Sequence, residues 1–417
     1  MYRSWLKYIY KERLIGFYLS VALSLTWIFI PFIWIYLTSI NYSSFEVFMF
    51  NLVFCITAIL GEIPFGIFAD RFSRRFSIQL GCLLITLGNL FFITSQRTVT
   101  IIFANLSLAL GMTAISGADS AYLYDYLKTK NRVELYPIGE SFLSITKYLC
   151  IILGYILSSL IVLLSSDIFK IFIGSFLISS ISFLVSFTIP KDMLRSKLKT
   201  EQKPLKLKHP LFIYIMLYSM VMFPLLRAGI YFDQAYILFL GFPIYILGIV
   251  FALKTSFSFL IAPYVPILLE KLNKYKLFFL LTLSVSISFM FLLLSKSLSL
   301  IILVLSGILF GIYSPSVKIV LNSNITDSKV RATIMSIESM SRRIGFALLS
   351  PIIGKFLDLS ITWTISLFIT LSLLLTIFTL VWLNRRSDTS DDYIFGFRSS
   401  KSNNTSTYLI GDWIRKR

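Results

Sequence analysis

The sequence predicts an all-α membrane protein: twelve transmembrane helices in two six-helix, pseudo-symmetric bundles. Three observations carry this prediction. Of the 417 residues, 57% are hydrophobic and only 14% are charged, whereas soluble domains average about 25% charged residues. The apolar residues come in long runs, and mean hydropathy is +0.82. The basic residues are gathered in short segments between those runs.

A helix needs roughly 20 apolar residues to cross the hydrocarbon layer. Twelve runs qualify, at about 14–38, 45–68, 76–95, 99–124, 138–164, 168–189, 211–240, 243–268, 277–295, 298–322, 331–357 and 361–384. The first follows a basic start with Arg3, Lys7, Lys11 and Arg13. It is too long for the apolar core of a secretory signal and lacks a small-residue cleavage site, so it reads as the first span. The seventh run contains Pro224, Arg227 and Asp233, and a kink or break is expected there. Residues 191–209 are polar and basic, with Pro190, Pro204 and Pro210 in or beside them. They read as a cytoplasmic linker between an N-terminal bundle (1–190) and a C-terminal bundle (210–384). Residues 385–417 read as a mobile cytoplasmic tail.

Lysine and arginine counts set the expected orientation. With the N-terminus inside, the inner segments hold 29 of these residues and the outer loops hold only Arg97, Lys170 and Lys296. Both termini are therefore expected on the cytoplasmic side of the plasma membrane. The net charge of +19 does not form one contiguous basic face, which excludes nucleic acid as the expected partner. Cys55, Cys82 and Cys150 lie in apolar runs, and His209 is the only histidine. That composition offers no disulfide framework and no histidine-ligated metal centre. A membrane-embedded enzyme would need a nucleophile and base or a metal set; none is visible, so the chain is not expected to be an enzyme.

Between the second and third runs lies Gly66-Ile67-Phe68-Ala69-Asp70-Arg71-Phe72-Ser73-Arg74-Arg75. Charge is costly in or beside a bilayer, so such a cluster has either a functional role or the plain one of fixing topology. The second half echoes it: an offset of 200 sets Asp70 against Glu270, Arg71 against Lys271 and Arg74 against Lys274. The copies differ, because Pro266 replaces Gly66 and Tyr275 replaces Arg75. A second echo is Glu140-Ser141 followed by Lys147, against Glu338-Ser339 followed by Arg342 and Arg343. Two repeats of equal orientation are the pattern of a transporter built on an axis along the membrane normal.

The residues 66–75 resemble the signature of the major facilitator superfamily, G-x-L-A-D-R-x-G-R-K, with Ser73 and Arg75 as departures. Gly61-Glu62-Ile63-Pro64, the stretch Ser116 to Asp125, and Asn322 through Arg331-Ala332-Thr333 to Ser336 are similar to its bacterial multidrug-efflux-like members. The resemblance covers residues 1–384. It implies the major facilitator fold and a drug:proton antiporter-like permease. Such a protein moves a small molecule by alternating access, with an ion or proton gradient as energy source and no cofactor or metal. It also implies a conformational latch of Gly66, Asp70, Arg71, Arg74 and Arg75, with Asp125 as the acidic partner of the arginines. Gly154-Tyr155-Ile156-Leu157-Ser158-Ser159 departs from the G-P-x-x-G-G pattern of proton antiporters. Uptake of a small nutrient is thus the alternative to efflux, and a transport-inactive sensor on the same fold is a third reading. A monomer in the lipid bilayer is the expected form, with protons and a small molecule as its partners.

Ionisable residues inside spans mark pathway or coupling sites. Glu62, Asp119, Arg227, Asp233, Lys254 and Lys318 are the candidates for coupling or for lining a substrate cavity. Asp119 sits among small residues and is the preferred proton carrier; its competing role is a structural partner for a cation. Lys254 and Lys318 are suited to pair with buried acids. Tyr231, Gln234 and Tyr236 offer polar and aromatic surface to a substrate. Glu338 and Arg342, four apart, are spaced for a local salt bridge.

Overall fold

The computed structural model describes residues 9, 12, 14–94, 96–165, 167–191, 210–294, 298–324 and 328–386. The linker expected over 191–209, Lys191 apart, and the tail from residue 387 lie outside them. The regular structure among the described residues is entirely helical. A chain in hydrocarbon must satisfy its backbone polar groups internally, and helices do so within one segment.

The first run is not one helix. α1 (Ile15–Ser24) and α2 (Ile33–Ser39) are separated by an irregular stretch and a single 3₁₀ turn, Ile30–Phe32. Pro31 has no N–H to continue a helical ladder. Side chains stitch the break: Thr26 Oγ1 donates to the Ala22 carbonyl at 2.8 Å and Trp27 Nε1 to the Ser24 carbonyl at 2.9 Å.

α3 (Ser44–Arg71) opens with a capping box. The Ser43 hydroxyl accepts the Glu46 N–H at 3.2 Å, while the Glu46 carboxylate accepts the Ser43 N–H at 2.8 Å. This satisfies two of the donors that every helix start leaves unpaired. α4 (Arg74–Thr94) follows, then α5 (Thr98–Ile115) and α6 (Ala118–Thr129). Between the last two, Gly117 has φ +82°, a left-handed conformation open to glycine at little cost. The fourth run is therefore broken directly before Asp119.

α7 (Tyr136–Ser165), α8 (Phe169–Ser186) and α9 (Pro210–Phe239) come next, and α9 continues through Pro224 without a break. α10 (Ile246–Ile261) ends at a 3₁₀ turn containing Pro263, and α11 (Val265–Lys271) completes that run. α12 (Lys274–Leu294), α13 (Ser299–Asn324), α14 (Ser328–Leu359) and α15 (Ile361–Arg386) close the bundle. Ten helical stretches among the described residues are long and apolar enough to cross a membrane. Twelve are expected from the sequence. The difference lies in run 14–38, divided into two short helices, and in run 331–357, where α14 carries Glu338, Arg342 and Arg343.

The surface is apolar. Leu60, Leu153, Leu164, Leu184, Leu260 and Leu348 are exposed, whereas Ser175, Ser179, Ser182 and Ser186 of α8 face inward. Small polar residues between helices allow close approach where lipid offers no hydrophobic drive. α3 packs along α14, α7 against α10, α9 against α14 and α10 against α13. Near the start of α3, a Cβ on Gly354 of α14 would lie 2.9 Å from the Phe45 Cα. There the Asp358 carboxylate accepts the Ser44 N–H at 2.6 Å and the Phe45 N–H at 2.9 Å. An anion at a helix start is the favoured sign for the helix dipole.

Candidate functional site

The charged turn between α3 and α4 is built from the helix ends that flank it. Arg74, in the first turn of α4, reaches α6: its Nη1 lies 2.5 Å from Asp125 Oδ2 and donates to the Ala121 carbonyl at 2.8 Å. Arg75 Nη2 donates to the Phe187 carbonyl at 3.0 Å, just past the end of α8. Arg71 and Gly66 are exposed. A Cβ at Gly66 would meet nothing within 4 Å, so close packing does not explain a glycine there. The Asp70 side chain lies outside the described residues. In the second copy, Tyr275 is buried in an aromatic cluster, its ring 5.6 Å from Tyr214. The departure from Arg75 thus has a packing reason.

Most of the intramembrane charges sort into pairs. Lys147 of α7 binds Asp119 at 2.6 Å, while Asp119 Oδ1 accepts the Ser120 N–H at 2.7 Å. The Ser120 hydroxyl donates to Glu140 at 2.8 Å. Lys147 therefore pairs with Asp119 and not with Glu140, seven residues before it on α7. Lys254 of α10 binds the buried Asp233 of α9 at 2.6 Å. Arg342 binds Glu338 at 3.0 Å, the i,i+4 pair expected from spacing. Glu62 of α3 accepts the Ser336 hydroxyl at 3.3 Å and lies 3.7 Å from Arg343 of α14. Lys318 is exposed on α13 and has no salt bridge among the described residues.

A cavity of about 300 Å³ lies between α7, α9, α10, α12 and α13. It collects three of the six candidates: Arg227, Asp233 and Lys254. Glu62, Asp119 and Lys318 do not line it. Its walls are chiefly apolar and aromatic, and Tyr148, Tyr155 and Ser258 are lining residues that sequence reasoning did not single out. A smaller cavity, about 40 Å³, lies toward α3 and α5 beside Trp27, Phe54 and Asn105; Arg227 and Ile30 line both. Asn51, an amide inside an apolar run, was the signal for a further contact: its Nδ2 donates to the Tyr231 hydroxyl.

Two residues expected to face substrate serve the scaffold instead. The buried Gln234 accepts the Trp34 N–H at 2.9 Å and donates to the Ile30 and Ile230 carbonyls at 2.9 and 2.8 Å. The Tyr236 hydroxyl donates to the Leu292 carbonyl at 2.7 Å. Among the described residues no group of histidine, cysteine and carboxylate side chains is arranged to hold a metal ion.

Residues 15–328 match the family described as Major Facilitator Superfamily. An uncharacterized transporter of Buchnera aphidicola subsp. Schizaphis graminum (strain Sg) is 28% identical over 163 residues, 39% of this chain and 40% of that protein. One of Buchnera aphidicola subsp. Acyrthosiphon pisum (strain APS) is 33% identical over 91 residues, 22% of this chain and 23% of that protein. The chain thus spans less than half the length of either relative. Among solved structures, a mutant form of the nucleoside transporter NupG superposes with a TM-score of 0.74 at 15% identity, covering 88% of this chain and 98% of that one. A D-xylose-proton symporter gives 0.69 at 13% identity, covering 88% and 96%. At these identities the likeness is one of fold.

Proposed function

This chain belongs to the Major Facilitator Superfamily, and we propose that it is a secondary active transporter that moves a small molecule by alternating access. It is a multi-pass membrane protein, and its relatives are transporters. The observation that carries the proposal is the cavity around Arg227, Asp233 and Lys254. Its lining comes both from α7, before residues 191–209, and from α9, α10, α12 and α13, after them. Rocking of a twelve-helix, two-bundle body about such a cavity would expose it to each side in turn.

In this reading both termini face the cytoplasm, as the basic segments favour, and the energy comes from a proton gradient. Asp119 carries the proton: protonation removes its charge and frees Lys147, coupling titration to a contact between α6 and α7. The Arg74–Asp125 pair fixes α4 to α6 at the end of the bundle bearing the charged turn. With Asp70 it forms the latch, broken and remade as the bundles rock. Efflux is the favoured direction because of the resemblance of residues 61–64 and 116–125 to multidrug-efflux-like proteins. The missing proline in 154–159 leaves uptake open as the second reading. Flux assays on purified protein in proteoliposomes, with a broad panel of drugs and nutrients and an imposed pH gradient, test the proposal. Gradient-dependent flux of one compound class is expected, whereas no flux of any compound would favour a sensor.

A further inference from the structure

We propose that the transported molecule is a small organic monoanion with an apolar body, and that Arg227 binds its charged group. The inference rests on the transporter reading and names its substrate class.

It starts from charge balance. Asp119 with Lys147, Asp233 with Lys254, Glu338 with Arg342, and Glu62 with Arg343 all lie within 4.0 Å of their counter-ions. Lys318 has no salt bridge among the described residues either, but it lines neither cavity, and the exception that matters there is Arg227. It sits mid-helix in α9, lines both cavities, and among the described residues no carboxylate lies within salt-bridge distance of it. The other charged groups on the larger cavity, Asp233 and Lys254, neutralise each other at 2.6 Å. The cavity is thus left with one positive charge in excess. Arg227 is half-buried on the cavity wall, and a cation partly withdrawn from water without a counter-ion carries a cost that a paired one does not. A substrate that brings one negative charge removes that cost on binding.

The chemistry of the residue narrows the group. Guanidinium presents a rigid planar fork of donors that matches carboxylate, phosphate and sulfonate oxygens two at a time. The cavity walls narrow the remainder. Tyr148, Tyr155, Phe251, Phe289 and Phe310 supply aromatic surface, and hydroxyls come from the two tyrosines, Thr255, Ser258, Ser288 and Ser306. A volume of about 300 Å³ lies at the low end of ligand cavities, which run from about 300 to 1,000 Å³. An aryl or branched aliphatic acid fits this combination of one fork, apolar walls and small volume. A dianion, which brings one negative charge more than the excess on the cavity, does not.

The test is binding, measured without flux. Purified full-length protein in detergent is melted in the presence of three acids and their neutral counterparts: benzoate with benzamide, indole-3-acetate with indole-3-acetamide, and benzenesulfonate with benzenesulfonamide. At least one acid is expected to raise Tm saturably by about 2 °C or more, and its neutral counterpart to leave Tm unchanged. Arg227→Gln is expected to weaken that acid by about tenfold or more, and Arg227→Lys, which keeps the charge but loses the fork, by less. Should Arg227→Gln fail to fold, the acid-against-neutral comparison on the unaltered protein still decides. Stabilisation by none of the acids overturns the proposal. So does equal stabilisation by acid and neutral counterpart, or unchanged acid binding in a folded Arg227→Gln protein. The transporter reading fails separately: acid binding through Arg227 with no flux in proteoliposomes would keep the site and remove the transport role.

Discussion

Gln234 and Trp34 stand 200 positions apart, yet the Gln234 side-chain carbonyl accepts the Trp34 N–H at 2.9 Å. The same amide donates to the Ile30 carbonyl at 2.9 Å. One buried side chain therefore supplies the backbone partners that the break at Pro31 leaves open. An unmatched buried donor or acceptor costs about 1–3 kcal/mol. Gln234→Leu strands at least two such groups and is expected to lower stability by about 2 kcal/mol or more, read as a lower melting temperature in detergent. A melting curve like that of the unaltered protein would show that the broken helix does not depend on this amide.

The Arg74–Asp125 pair is partly exposed, at 18% and 24% of the two side chains, so solvent screens it and its contribution to stability is expected to be small, about 1 kcal/mol or less. Its effect on transport is expected to be large, because it fixes α4 to α6 beside the charged turn. Arg74→Asp and Asp125→Arg singly should reach the membrane and lose most flux, and the double exchange should recover part of it. Equal flux in all three variants would reduce the turn to a topology signal.

The Asp233–Lys254 pair is expected to behave in the opposite way. Asp233 is buried, at 2% exposure, so removing one partner leaves the other charge without compensation. Asp233→Leu or Lys254→Met alone should destabilise by about 3–5 kcal/mol, while the double change to Leu and Met should cost less than the sum of the single changes. Thermal melts of the four proteins measure the coupling. Additive losses would mean that the two charges do not depend on each other.

Asp119 is bound by Lys147 at 2.6 Å, so carrying a proton requires the pair to separate. Asp119→Asn is expected to abolish the dependence of flux on a pH gradient while leaving exchange down a substrate gradient. A variant still driven by the gradient would remove Asp119 from the coupling path.

The sequence by itself determined what depends on neighbours in the chain. Length and apolarity mark membrane-spanning runs, the distribution of lysine and arginine gives an expected orientation, and 66–75 carries the family signature. The spacing of Glu338 and Arg342 was enough for their salt bridge, because an i,i+4 pair is set by the helix itself. Even breaks left a trace, in Pro31 and Gly117, although Pro224 shows that such a trace does not always become a break. Only the tertiary structure decided which charges meet. Lys147 pairs with Asp119 and not with Glu140, Gln234 caps a helix instead of facing a substrate, and Asp358 holds the start of α3 from 313 and 314 residues away. The physical reason is that a buried charge or amide takes whatever partner helix packing brings within about 3 Å. Packing is a property of faces from distant segments. Arg227 is the sharpest case: in the sequence it is one intramembrane cation among several, and only the structure places it on both cavities with no carboxylate within salt-bridge distance among the described residues.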